Sequence, residues 1–406
     1  MQGRQLFCII EEVNMLSGFA VIMLSGLLLG RACGKIRFPA LFGMIIAGII
    51  TGPYVLDLID GSVLNMSAGI RRIALIIILI RAGLKLDVSD LKQVGRPALL
   101  MCFVPACLEI AGMIFIAPKL LGVSILEAAI LGSVVAAVSP AVVVPRMIRL
   151  IDEGYGTQQS IPQMILAGAS VDDVFVIVMF STFTGLAQGA DVSFMNIVSV
   201  PLSILTGIAA GILAGFLLVR LFEKIRIDSL IQTVILLSIS FLLNDAEGKL
   251  AGFPFAPLIA IMCIGTAIRK LDVTTAIRLS GIYDKMWRVA EIFLFVLVGA
   301  SAAVDSLMSL GVSAVMVLLM AILFRMAGVY LCVLGTKLDL REKLFCMIAY
   351  TPKATVQAAI GGLPLAMGLA CGQAVLTVSV IAILLTAPLG AFGIDLTYRK
   401  LLKHEQ

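Results

Sequence analysis

Asp172 and Asp173 stand side by side inside IPQMILAGASVDDVFVIVMFSTFT, residues 161–184, a stretch otherwise apolar enough for the interior of a bilayer. A charge at that depth costs about 2.5–3.5 kcal/mol on insertion scales, so two in succession mark a working site. Neighbouring side chains on a helix point about 100° apart. One carboxylate can therefore meet a cation while the other faces a wet cavity. Three more ionisable residues lie deep in apolar runs: Glu109, Arg325 and Lys353. Three acids against two bases leave one carboxylate over, a place where a hydrated monovalent cation and a proton compete. A hard cation takes oxygen ligands, and Ser139, Ser170, Thr351 and Thr355 lie close enough in sequence to supply hydroxyls. A buried network that only locks helices together is the simpler reading for Glu109 and Lys353, but not for adjacent aspartates.

The elements that position these groups are membrane helices. The chain has 406 residues, 61% of them hydrophobic and 14% charged, too few charges to cover a soluble domain of that length. Thirteen apolar runs stand out between charge clusters: 13–30, 38–56, 70–86, 97–118, 125–145, 161–185, 194–221, 229–243, 251–268, 286–304, 312–335, 341–367 and 373–395. The third and eighth are short for a full span. The first lacks a basic leader and a small-residue cleavage site, and is read as a retained helix. Most of the 30 lysines and arginines fall in the loops after odd-numbered runs and in the tail. Arg4, Arg71, Arg72, Lys119 and Lys249 lie on the other side, which puts the N-terminus outside and the C-terminus in the cytoplasm. Short loops point to a prokaryotic cell membrane. The net charge of +5 belongs to those loops and is no nucleic-acid signal. The eight cysteines have neither disulfide nor metal spacing. No cofactor or enzymatic motif is found: a Walker A sequence, an arginine ladder and a TVGYG filter are absent, and the sole histidine, His404, sits in the tail.

Two runs carry breakers. AAVSPAVVVP, residues 136–145, holds Pro140 and Pro145; AYTPKATVQAAIGGLPLAMG, residues 349–368, holds Pro352, Gly361, Gly362 and Pro364. Proline removes a backbone donor and frees the carbonyl four residues earlier, so both runs are expected to unwind near the midplane. Taking runs two to six and nine to thirteen as repeats, each break falls in the fourth helix. The offset of seven helices makes the repeats inverted. Paired broken helices in two halves are the strongest sequence pointer to a transporter's binding site.

These residues carry a resemblance. FPALFGMIIAGIITGP (38–53), LIRAGLKLD (79–87), VSPAVVVP (138–145), GASVDDVF (168–175) and PKATVQAAIG (352–361) resemble the monovalent cation:proton antiporter superfamily, in particular the NHA-type sodium/proton antiporters with a two-aspartate helix. The resemblance implies an all-α membrane protein of about thirteen transmembrane helices, with inverted repeats and two crossed discontinuous helices. It implies a homodimer in which a core (97–185 and 312–395) moves, elevator-like, against a dimerisation scaffold (13–90 and 229–304), with 194–221 as linker. It also implies exchange of Na⁺ or Li⁺ for H⁺, with Asp173 binding cation or proton, Asp172 paired to Arg325, and Glu109 to Lys353. Pro140 and Pro352 would mark the crossing. Arg325 stands where many electrogenic relatives have lysine. Arginine does not release its proton, so the charge count suggests one-for-one exchange, the competing reading being that Asp172 leaves Arg325 and takes a second proton. A potassium/proton exchanger of the same fold, a sodium-coupled organic-anion symporter and a non-transporting sensor or channel are the alternatives.

Overall fold

The computed structural model describes residues 2–36, 38–86, 95–188, 194–225, 227–249 and 255–404, with some side chains inside helices, Ser170 among them, outside the description. Among these residues the chain is helical, without strands. In chain order the helices are α1 (Gln2–Lys35), α2 (Ala40–Thr51), α3 (Gly61–Asn65), α4 (Ser67–Lys85), α5 (Arg96–Met101), α6 (Val104–Leu121), α7 (Ile125–Val135), α8 (Pro140–Asp152), α9 (Ile161–Ala187), α10 (Phe194–Lys224), α11 (Ser229–Lys249), α12 (Pro257–Leu271), α13 (Val273–Ala300), α14 (Val304–Cys332), α15 (Leu340–Ala349), α16 (Thr355–Ile360), α17 (Leu363–Ala366) and α18 (Gly372–Leu401). Each of the thirteen apolar runs overlaps one of these helices or a broken set of them, the start of the ninth, 251–254, lying outside the described residues. Among the described residues, eight spans are long and apolar enough to cross a bilayer by themselves. The runs thought short are fuller than the apolar pattern suggests, 19 residues in α4 and 21 in α11. Charged residues end a hydropathy run without ending a helix, because only Pro, Gly or a competing cap stops the backbone ladder.

Both expected breaks are present. The fifth run ends as α7 at Val135 and restarts as α8 at Pro140, which occupies a first-turn position where its missing N–H goes unneeded. The twelfth run splits into α15, α16 and α17, with a non-helical link over 351–354. A third interruption was not expected: the fourth run divides into α5 and α6 around Cys102 and Phe103, just ahead of Pro105. Capping boxes fix the starts of two of the broken helices, Ser124 with Glu127 for α7 and Asp339 with Glu342 for α15.

The two repeats pack reciprocally. α2 lies on α13 and α4 lies on α12, the second run on the tenth and the third on the ninth. In each crossing a pair of glycines lets the backbones touch: Gly48 with Gly299 and Gly83 with Gly265, where a Cβ on any of the four would overlap the partner's backbone. α6 packs along α14, which brings Glu109 and Arg325 to the same level. At one end of the bundle Arg146 and Arg149 of α8 pair with Asp395 of α18 at 3.2 and 2.6 Å, and Lys403 pairs with Asp339 at 3.3 Å.

Candidate functional site

The prolines that break the helices also create the acceptors that the site uses. Pro105 leaves the carbonyl of Met101 without its helical donor, and the Tyr350 hydroxyl donates to that oxygen at 3.0 Å. Pro140 does the same for Ala136, whose carbonyl accepts from Nη1 of Arg325. Pro352 frees Ile348, and the Thr351 hydroxyl takes that carbonyl at 2.8 Å. Gln357 covers the rest of the open end of α7, its Nε2 lying 3.1, 3.1 and 3.0 Å from the carbonyls of Val134, Val135 and Ala137. The two breaks are tied directly, as Ser139 N donates to Pro352 O at 2.7 Å. The Ser139 and Thr355 hydroxyls stand 3.3 Å apart and are both buried.

Arg325 sits at the C-terminal ends of α7 and α15, where exposed carbonyls favour a cation. Its Nε donates to Tyr350 O at 2.6 Å, and its guanidinium lies 4.9 Å from the centre of the Tyr350 ring. Nη2 reaches Oδ2 of Asp172 at 2.9 Å and Nη1 reaches Oε2 of Glu109 at 3.0 Å. Lys353 Nζ donates to the same Oε2 of Glu109 at 2.8 Å and lies 2.7 Å from Oε1, while its backbone N–H donates to Thr386 Oγ1 at 3.0 Å. The resemblance implies two separate pairs; the structure joins them into one row, Lys353–Glu109–Arg325–Asp172. All four side chains are fully buried, and the row sums to zero charge.

Asp172 is fixed twice on one oxygen, since Oδ2 also accepts the N–H of Val138 at 2.8 Å inside the break. Asp173, one position on, turns elsewhere. It forms no ion pair among the described residues, is half-buried where Asp172 is fully buried, and its Oδ1 has no hydrogen-bond partner. An unpaired carboxylate in a membrane helix is a strong acceptor with nothing to accept, so a proton or a small cation is the chemistry it suits. The structure thus brings together Glu109, Asp172, Arg325, Lys353, Ser139, Pro352 and Thr355. Thr351 is bound back to its own helix, and the side chain of Ser170 lies outside the described residues. Tyr350, Gln357 and Thr386 were missed from sequence. Tyr350 and Gln357 flank Pro352 as the polar residues of a proline-broken run, which was the available signal; Thr386 offered none.

Comparison with known proteins adds a family, two relatives and a solved structure. Residues 20–400 match the family model described as sodium/hydrogen exchanger, transmembrane. The chain is 33% identical over 415 residues to sodium/hydrogen exchanger 9B2 of Xenopus tropicalis, covering 96% of this chain and 76% of that one. It is 32% identical to human sodium/hydrogen exchanger 9B1 over 412 residues, covering 95% and 78%. Among solved structures it is similar to the sodium proton antiporter MjNhaP1 of Methanocaldococcus jannaschii, with a TM-score of 0.84 at 20% identity, over 96% of this chain and 99% of that one. At that identity the likeness is one of fold.

Proposed function

From the premise that the chain belongs to the sodium/hydrogen exchanger family, we propose that it exchanges Na⁺, and Li⁺ with it, for H⁺ across the cell membrane. One observation carries this reading: four buried charges neutralise one another, while the neighbouring Asp173 forms no ion pair among the described residues. Na⁺ and H⁺ are alternative neutralisers of that carboxylate, so occupation by one requires departure of the other. Arg325 keeps its proton under all physiological conditions. With Asp172 held by both Arg325 and Val138 N–H, only Asp173 changes charge, and the exchange is one-for-one and electroneutral.

In this mechanism Asp173 takes cargo from one side, and the core carries it past the scaffold before releasing it on the other. The core is 97–185 with 312–395, the scaffold 13–90 with 229–304, and 194–221 the linker. The row of four charges and the Ser139–Pro352 bond support movement of the crossed helices as one body, because they tie α6, α9, α14 and both breaks together. The functional unit is a homodimer with the N-terminus outside. The basic pairs at one end of the bundle, Arg146 and Arg149 with Asp395, support placing that end in the cytoplasm.

The test is pH-gradient dissipation in proteoliposomes on adding Na⁺, Li⁺ or K⁺ in turn, with and without a clamped potential. Na⁺ and Li⁺ should collapse the gradient at a rate indifferent to potential. Proton flux driven by K⁺ alone overturns the ion assignment, and a rate that tracks potential overturns the stoichiometry.

A further inference from the structure

A third buried cation, beside Arg325 and Lys353, lies far from that row in the chain and has none of its partners. Arg71 occupies the first turns of α4 with 5% of its surface exposed. Its Nε makes one long contact, 3.4 Å to Ser67 O, and its Nη1 is buried with no partner. No carboxylate among the described residues pairs with it. Ser67, one helical turn back on the same face, is 3% exposed, and its hydroxyl is also buried without a partner. The guanidinium lies against the backbone of Gly362, at the junction of α16 and α17. A Cβ there would come within 2.7 Å of Nη2 and 2.9 Å of Cζ. An arginine this near a helix end ordinarily extends to the membrane surface; this one is folded inward and roofed over.

A buried guanidinium without a counter-charge is unfavourable, and the unfilled donors of Arg71 and Ser67 define what would relieve it. We propose that Arg71 and Ser67 bind a compact anion between α4 and the α16–α17 junction, supplied as a free inorganic anion or as the phosphate of a lipid headgroup. Nη1 and the Ser67 hydroxyl donate to it, and Gly362 leaves the space that the guanidinium needs to reach it. The site lies where α4 of the scaffold meets the broken twelfth run, so its occupant ties the two across their junction. It is independent of Asp173 and takes the opposite sign of charge.

The experiment is thermal unfolding of the purified full-length chain in uncharged detergent at fixed sodium, with gluconate replaced stepwise by chloride or by phosphate. A parallel arm titrates short-chain phosphatidylglycerol in gluconate. The expected result is a saturable rise in the unfolding midpoint in one arm, which identifies the source, and its loss in Arg71→Gln. Ser67→Ala keeps the arginine and covers the case in which Arg71→Gln fails to fold; it should raise the half-saturating concentration several-fold. The proposal is overturned if no arm moves the wild-type midpoint, if Arg71→Gln responds as the wild type does, or if Ser67→Ala saturates at the wild-type concentration.

Discussion

Arg325 and Arg71 are both shut away from solvent, yet Arg325 directs its donors to two carboxylates and two carbonyls whereas Arg71 reaches one carbonyl at 3.4 Å. The difference lies in the helices around them. Arg325 faces segments broken by Pro140 and Pro352, whose carbonyls have lost their helical donors. Arg71 is on an unbroken helix, where each carbonyl already accepts from the residue four ahead. A membrane helix offers a buried cation acceptors only where its own ladder has failed. In this fold the breaks are therefore what make the charged row affordable, and the intact α4 leaves its arginine in need of something from outside the chain.

Removing Arg325 tests the comparison most severely. Arg325→Met leaves Glu109 and Asp172 buried with one cation between them, and breaking a buried pair costs about 3–5 kcal/mol. We expect a large fall in the unfolding midpoint and no exchange; a midpoint near wild type would show the row to be dispensable. The adjacent aspartates should then part company. Asp173→Asn removes no ion pair, so stability should stay near wild type while Na⁺-driven proton flux disappears. Asp172→Asn loses a charge-assisted bond to Arg325 and should cost about 1.5–3 kcal/mol. Equal losses of stability in the two variants would contradict the division of roles.

Gln357→Leu sharpens the role of the breaks, since it strips the donor from three carbonyls at the end of α7. A loss of about 1–3 kcal/mol is expected. On the Arg71 side, Gly362→Ala pushes a methyl into the guanidinium and should cost about 1–3 kcal/mol as overpacking. Gly69→Ala on the same helix as Arg71 meets no atom within 4 Å and serves as the neutral control. The smallest effect belongs to the loop before α15. The Glu342 N–H, and behind it Lys403, hold the Asp339 carboxyl below its ordinary 3.8. A depressed carboxylate contributes stability above its unfolded value and loses it as pH falls through the folded one. The Asp339 contribution should therefore fade only below pH 3.8, and Asp339→Ala should flatten that part of a midpoint-against-pH curve.

Much of the site was readable in order along the chain. Asp172 and Asp173 stood out because charge is rare in such runs, and Pro140 and Pro352 because proline cannot continue the ladder. Arg325 and Lys353 followed from the need for counter-charge. The interruption at Cys102–Phe103 is not legible in the hydropathy pattern, since Pro105 sits in a run that stays apolar throughout. Tyr350 and Gln357 look like ordinary polar residues until the carbonyls they serve are known. Arg71 stands in the sequence beside Arg72 as one of the charges that set orientation, and nothing in its neighbourhood of sequence says that it is buried.

The sequence by itself determined that five charges in the apolar runs must be reconciled, that the fifth and twelfth runs break, and that one carboxylate is left over. Those are matters of composition and of backbone donors counted along the chain. Only the tertiary structure decided that Arg325 serves Glu109 and Asp172 together, residues 216 and 153 positions away. It alone decided that Asp172 rather than Asp173 meets Arg325, and that Arg71 is buried with no ion pair among the described residues. The physical reason is that hydrogen bonds and ion pairs require contact, and the contacts here are made where helices distant in the chain cross.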